Sequence, residues 1–247
     1  KRLPFESYPD IVNFAPFPEN KTPHEKLLIT EEWRKLWAQA KSPEFNSQKA
    51  KLLESSDALL KAEIESLSYI KDSFDKEAYL VCAIEPRQCE GGDRFASKRF
   101  YHALRLLTRA YDVPLLFDEV QTGFGLGGPF FWHEQFDLKT ASGERDYPDC
   151  VTFAKKGQVA GVLTSLKGDI QHDVSSVSLH RGYVQAMAHL LHPPVDFEYV
   201  WKRILEVQSL VGSDVLQSPR GQAQTFAFDL PSDTLLNKLI SYRFEEG

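Results

Sequence analysis

The sequence predicts an α/β fold with a mostly parallel sheet flanked by helices, on three observations. Apolar runs of strand length at 79–84 and 113–117 enclose a helical pattern, Lys98–Tyr111, in which Phe100, Leu104 and Leu107 point inward. That alternation implies right-handed crossovers between parallel strands, and two further short runs at 150–154 and 161–165 extend the sheet. Finally, Leu115-Leu116-Phe117 ends on Asp118-Glu119 and opens into Val120-Gln121-Thr122-Gly123. Such a strand delivers a carboxylate, Asp118, to the edge where open α/β sheets bind ligands. A buried carboxylate needs a partner, because an unpaired one is costly.

In chain order, residues 1–23 hold Pro4, Pro9, Pro16, Pro18 and Pro23 among aromatics, which forbids a long helix and predicts an extended arm. Residues 25–41 read as a helix with Leu28, Trp33, Leu36 and Trp37 near one face. Residues 47–70 read as one longer helix, with Leu52, Leu53, Leu59, Leu60, Ile64 and Leu67 at helical spacing. Ser97 is placed to cap Lys98–Tyr111. Beyond 166, helices are predicted at 184–191 and Phe197–Val211, interrupted by Pro193-Pro194. Ser218-Pro219-Arg220-Gly221 reads as a turn into a strand at 224–230, and Ser232 or Asp233 as the cap of a last helix.

Composition narrows the function. The chain has 247 residues, a net charge of -6 and 26% charged residues, so nothing favours nucleic acid or an anionic membrane. No apolar run approaches the ~20 residues of a membrane span. Cys82, Cys89 and Cys150 form no C-x-x-C pair and suit a reducing cytosol, so a cytoplasmic location is expected. The chain begins at Lys1, a first hint of a longer protein. His189 and His192 could share a helix face without an evident third ligand, so no metal site is expected. The absence of G-x-S-x-G leaves a hydrolase without support.

Three readings compete for the Asp118 strand. A P-loop nucleotidase would also need G-x-x-x-x-G-K-[ST], which does not occur. Gly123, Gly125 and Gly128 match G-x-G-x-x-G, but residues 118–122 intervene after the strand and Pro129 follows, so the match is taken as chance. The third reading needs a lysine downstream, and Asp149-Cys150-Val151-Thr152-Phe153-Ala154-Lys155-Lys156 supplies it after another apolar run.

These residues resemble the signature of class III (ω-amino) aminotransferases, which use pyridoxal 5'-phosphate. Asp118-Glu119-Val120-Gln121-Thr122-Gly123 and Asp149-x-Val151-x-Phe153-Ala154-Lys155 match two family motifs. Ile84-Glu85-Pro86-Arg87-Gln88-Cys89-Glu90-Gly91-Gly92-Asp93 is similar to a third, E-P-x-Q-x-E-G-G-D. The form around Lys155 looks most like the lysine 6-aminotransferase branch, with the 4-aminobutyrate branch its neighbour. The clear similarity runs from about 79 to 163.

The resemblance implies a fold-type-I large domain with the start of a small C-terminal α+β domain. It divides the chain into an N-terminal arm and helical segment, 1–75, which is part of the large domain and whose stretch 47–70 is longer than the family norm and suggests an insertion; a cofactor-binding core, 76–195; and the incomplete small domain, 196–247. It implies that Lys155 carries the cofactor, Asp118 bonds its pyridine nitrogen and Gln121 reaches its phenolic oxygen, a plain turn residue being the alternative for Gln121. Burial among apolar groups would lower the pKa of such a lysine, and Lys156 would point away. Glu85 would be a structural acid. Glu90 would pair with an arginine and decide which carboxylate the site accepts. Arg87 departs from the usual small apolar residue, which leaves the substrate open.

The implied reaction moves a terminal amino group, of L-lysine in the first instance, to 2-oxoglutarate in a homodimer. Ornithine and 4-aminobutyrate are alternative donors, and a non-catalytic binding or assembly module is the alternative from another class. The family's phosphate-binding segment, ring-stacking aromatic and substrate arginines have no match here, and its cross-subunit threonine is not recognisable in 175–182. The 247 residues are therefore expected to bring the ring half of a cofactor site without the phosphate half, with Gly123 to Gly128 and the stretch after 166 loosely held.

Overall fold

The computed structural model describes residues 15–21, 27–157, 160–166 and 196–246. Helix α1 (Glu31–Ala38) starts where the Thr30 side chain accepts from Trp33 N, and it turns Trp33, Leu36 and Trp37 into the core. The predicted helix at 47–70 is two: α2 (Phe45–Leu53) and α3 (Ala58–Lys76). The break falls at Ser55-Ser56-Asp57 because Asp57 is extended and its carboxylate accepts from Leu60 N at 3.0 Å, capping α3. A short acceptor side chain competes with the helix interior and stabilises an N-terminus by about 1 kcal/mol.

The short strand β1 (Cys82–Ile84) follows, then a hairpin of β2 (Arg87–Gln88) and β3 (Arg94–Phe95). Helix α4 (Lys98–Tyr111) has the predicted bounds and cap: Ser97 Oγ accepts from Phe100 N at 3.1 Å. Strands β4 (Leu115–Glu119), β5 (Cys150–Phe153) and β6 (Gly161–Thr164) complete a sheet of order β1-β4-β5-β6. The first three strands are parallel, and β6 runs antiparallel at the edge.

Alternation along β4 fixes its orientation. Leu115, Phe117 and Glu119 are buried, whereas Leu116 and Asp118 are half-buried on the opposite face. Phe117 packs on Tyr101 of α4, which stacks on Phe136 at 4.1 Å. Where β4 and β5 begin, Asp149 Oδ2 accepts from Leu115 N at 2.8 Å, and Asp149 N donates to Leu115 O at 2.9 Å. The fully buried Arg105 of α4 holds that carboxylate, donating to Asp149 at 2.6 Å and to Asp146 at 2.8 Å. Helix, strand start and strand register are thus joined by one charge-assisted cluster.

The C-terminal part comprises α5 (Phe197–Val211), β7 (Gln217–Gln222), β8 (Thr225–Asp229) and α6 (Asp233–Glu246). Ser218-Pro219-Arg220-Gly221 is not a turn but lies within β7, and the reversal comes later, where Ala223 adopts φ 54°. Ser232 Oγ accepts from Leu235 N at the start of α6, as the sequence suggested. The helix predicted at 184–191 and the region 175–182 lie outside the described residues. Among the described residues, no helix is long and apolar enough to cross a membrane and no group of side chains could hold a metal ion.

Candidate active site

Parallel pairing places Asp118 opposite Thr152 and Glu119 opposite Phe153, so β4 and β5 leave the sheet side by side at their C-terminal ends. Gln121 follows one strand and Lys155 the other. The two meet there: Lys155 Nζ donates to Gln121 Oε1 at 3.1 Å. Lys155 sits at φ 46°, in the left-handed region that costs a branched-free side chain about 1–2 kcal/mol relative to the right-handed one. Strain of this kind gathers at functional sites, where the surroundings over-determine it. The turn then packs against Phe124, since a Cβ on Gly157 would lie 2.5 Å from that ring.

Lys155 is exposed in this chain. The burial that the chemistry asks of a reactive amine falls on its neighbour, because Lys156 is half-buried and desolvation lowers its pKa. Of the two lysines, it is Lys155 that contacts Gln121.

Asp118 is anchored on one oxygen. Its Oδ1 accepts from Val120 N at 3.0 Å and from Thr152 Oγ1 at 3.0 Å. Among the described residues, Oδ2 takes no hydrogen bond, and Asp118 is half-buried. Glu119 has the opposite character. It is fully buried and accepts from Trp132 N at 2.6 Å, His133 N at 2.8 Å and His133 Nδ1 at 2.7 Å, so it fastens the 3-10 turn Trp132–Phe136 to the sheet.

The glycine-rich turn at 123–128 is packed, contrary to the expectation of a loose loop. Gly123, Phe124, Gly125 and Gly127 are buried, and a Cβ on Gly127 would lie 2.5 Å from the Trp132 ring. Gly125 N donates to Phe130 O, and Gln224 N of the C-terminal part reaches Leu126 O.

Glu90 stands exposed at the tip of the β2–β3 hairpin, and among the described residues no hydrogen bond or ion pair joins it to Asp118, Gln121 or Lys155. No ion pair joins it to an arginine among the described residues. The arginines nearby serve its turn instead. Arg87 is buried over the Trp132 ring and pairs with Asp93 at 2.8 Å, which accounts for an arginine where a small apolar residue was expected. Glu85 accepts from Cys89 N at 3.0 Å, a structural acid as expected.

The model of the class-III aminotransferases matches residues 25–175. The chain belongs to that family. L-lysine-epsilon aminotransferase of Mycobacterium tuberculosis is 38% identical over 203 residues, covering 74% of this chain and 43% of that protein. The 4-aminobutyrate aminotransferase of Schizosaccharomyces pombe is 45% identical over 84 residues, covering 34% of this chain and 16% of that one. Among solved structures, lysine aminotransferase from M. tuberculosis superposes with TM-score 0.63 at 26% identity, over 78% of this chain and 47% of that chain. This class-III aminotransferase chain therefore spans less than half the length of these relatives. Its mostly parallel sheet, flanked by helices, is the fold-type-I large-domain arrangement, and pyridoxal phosphate is the family's cofactor.

The donor set is of a kind that suits the ring of that cofactor: a carboxylate, an amide and an amine at one sheet edge. Two contributors escaped the sequence reading. Thr152 supports Asp118 across the sheet, and the only signal was its register in the second strand. Arg220 supports the Glu90 turn from 127 residues away, and no local pattern announces such a contact.

Proposed function

We propose that this chain supplies the ring-binding half of a pyridoxal-phosphate aminotransferase that moves the terminal amino group of L-lysine to 2-oxoglutarate. The observation that carries the reading is the meeting of Gln121 and Lys155 beside Asp118 at the ends of two adjacent parallel strands. The cofactor supplies an electron sink for the pair left when the substrate loses a proton. Asp118, held in place by Thr152 and Val120, would keep Oδ2 at the pyridine nitrogen so that this nitrogen stays protonated. Gln121 has Oε1 engaged by Lys155, which leaves its amide hydrogens to donate to the ring oxygen. Lys155 would hold the cofactor through Nζ and would be the base that moves the proton.

Glu90 is assigned the selection between substrates. An amino donor with one carboxylate and a keto acid with two can share a pocket if a glutamate and an arginine pair for one and part for the other. Homodimerisation and a cytoplasmic location complete the reading; Cys82, Cys89 and Cys150 are all free thiols.

A 4-aminobutyrate- or ornithine-type donor is the second reading, supported by the 45% identity to the S. pombe 4-aminobutyrate enzyme over 84 residues. A remnant of the fold that serves in binding or assembly is the reading from another class. A screen of the full-length protein with L-lysine, L-ornithine and 4-aminobutyrate against 2-oxoglutarate separates them. Fastest turnover of lysine supports the first reading, preference for either other donor supports the second, and no glutamate from any donor supports the third.

A further inference from the structure

The turn that carries Glu90 is held from two sides by buried arginines. Within the hairpin, Arg87 Nη1 pairs with Asp93 Oδ1 at 2.8 Å. From the C-terminal part, Arg220 on β7 donates to Gly92 O at 2.7 Å through Nη2 and to Asp93 O at 3.2 Å through Nε. Arg220 is itself fixed, because Asp229 on β8 accepts from Nη2 at 2.9 Å and from Nη1 at 3.1 Å. It is 7% exposed, and its donors are all engaged, so it does not act as a ligand-binding guanidinium. The turn needs such support: Gly92 and Asp93 both have left-handed backbone, at φ 104° and 52°. Their amides both return to Cys89 O, closing the loop on whose outer edge Glu90 stands.

We propose that Arg220 is a positioning residue for Glu90: through the Gly92 and Asp93 carbonyls it makes the β7–β8 hairpin set the place from which Glu90 reaches for its partner. The proposal rests on the reading of Glu90 as the group that selects between amino donor and keto acid. Its consequence is mechanical. A displacement of the C-terminal hairpin would move the Glu90 turn with it, and loss of the guanidinium fork would leave the turn, with its left-handed Asp93, held from one side only. Lysine cannot replace the fork, since it is a single point donor.

The test uses the full-length protein with Arg220→Gln, Arg220→Lys and Glu90→Gln. Amide hydrogen exchange across 88–93 is measured without substrate, and KM is measured for 2-oxoglutarate and for the faster of L-lysine and 4-aminobutyrate. In Arg220→Gln, exchange at Gly92 and Asp93 should rise roughly tenfold or more, as expected for a segment whose local opening has become easier. The ratio of the two KM values should shift by roughly threefold or more, in the direction set by Glu90→Gln, as loss of a selective contact requires. Arg220→Lys should fall between. Faster exchange with the wild-type KM ratio would make Arg220 merely structural and overturn the proposal, as would unchanged exchange. If Glu90→Gln itself keeps the wild-type ratio, the reading of Glu90 fails and the proposal falls with it. Should Arg220→Gln not fold, Asp229→Asn loosens the same arginine from its far side and is held to the same outcomes.

Discussion

Thr152 Oγ1 donates to Asp118 Oδ1 across 3.0 Å, from one parallel strand to the next. The contact occupies one oxygen of the carboxylate and leaves the other without a hydrogen bond among the described residues. If Asp118 holds the pyridine nitrogen, its charge is the larger contribution and its orientation the smaller. Asp118→Asn should fold normally and lower kcat by roughly 100-fold or more, the scale seen when one preorganised electrostatic group is removed from a reacting centre. Thr152→Val should lower it by less, and Thr152→Ser should restore it. Turnover near wild type in Asp118→Asn would make the carboxylate structural.

Glu119 stands next to Asp118 in sequence and is expected to do none of this chemistry. Its carboxylate is spent on two backbone amides and the ring of His133. Glu119→Ala should destabilise the fold by about 3–5 kcal/mol, since it strands buried donors. Glu119→Gln should recover part of that in chemical denaturation, while kcat of the folded fraction stays within a few-fold of wild type. A large loss of kcat in well-folded Glu119→Gln would place the residue in the mechanism.

The Arg105 cluster gives the acid limb of stability its sign. Burial raises the Asp146 pKa, but hydrogen bonds from Arg109 and Arg105 outweigh it and hold the carboxyl well below the ordinary range. Asp149 is lowered in the same way, burial being outweighed by Arg105 and the Leu115 amide. Both aspartates thus contribute stability in full at pH above about 4, the unfolded value, and lose it as pH falls through their lowered folded values. Arg105→Met should cost about 3–5 kcal/mol at neutral pH by leaving two carboxylates without their buried partner. It should also flatten the acid dependence of Tm below the ordinary carboxylate range. An unchanged slope there would mean that other groups govern acid unfolding.

What the sequence disclosed follows the range of each interaction. The cap at Ser97, the helix it starts and the Asp118 strand depend on neighbours within a few residues, and all three were legible. The helix break at Asp57 was local as well, yet the apolar spacing on either side of it keeps step through 47–70 and masks the cap. Arg87 and Arg220 were opaque because their partners lie across a fold: one stacks on Trp132, and the other reaches the Gly92 carbonyl. The glycine-rich turn was misjudged for a related reason. Gly127 makes room for the Trp132 ring and Gly123 lies against Phe131, so these glycines serve close packing rather than looseness. At the site, the order of Asp118, Gln121 and Lys155 could be read from motif spacing, but the exposure of Lys155 and half-burial of Lys156 could not.

Lys155 and Lys156 are the two candidates for the lysine that takes the cofactor. Full-length protein incubated with pyridoxal phosphate, reduced with borohydride and digested for mass mapping decides it directly. The result expected is one pyridoxyl label on Lys155, abolished in Lys155→Ala and strongly reduced in Asp118→Ala. A label on Lys156, or none on either lysine, would contradict the assignment of this site.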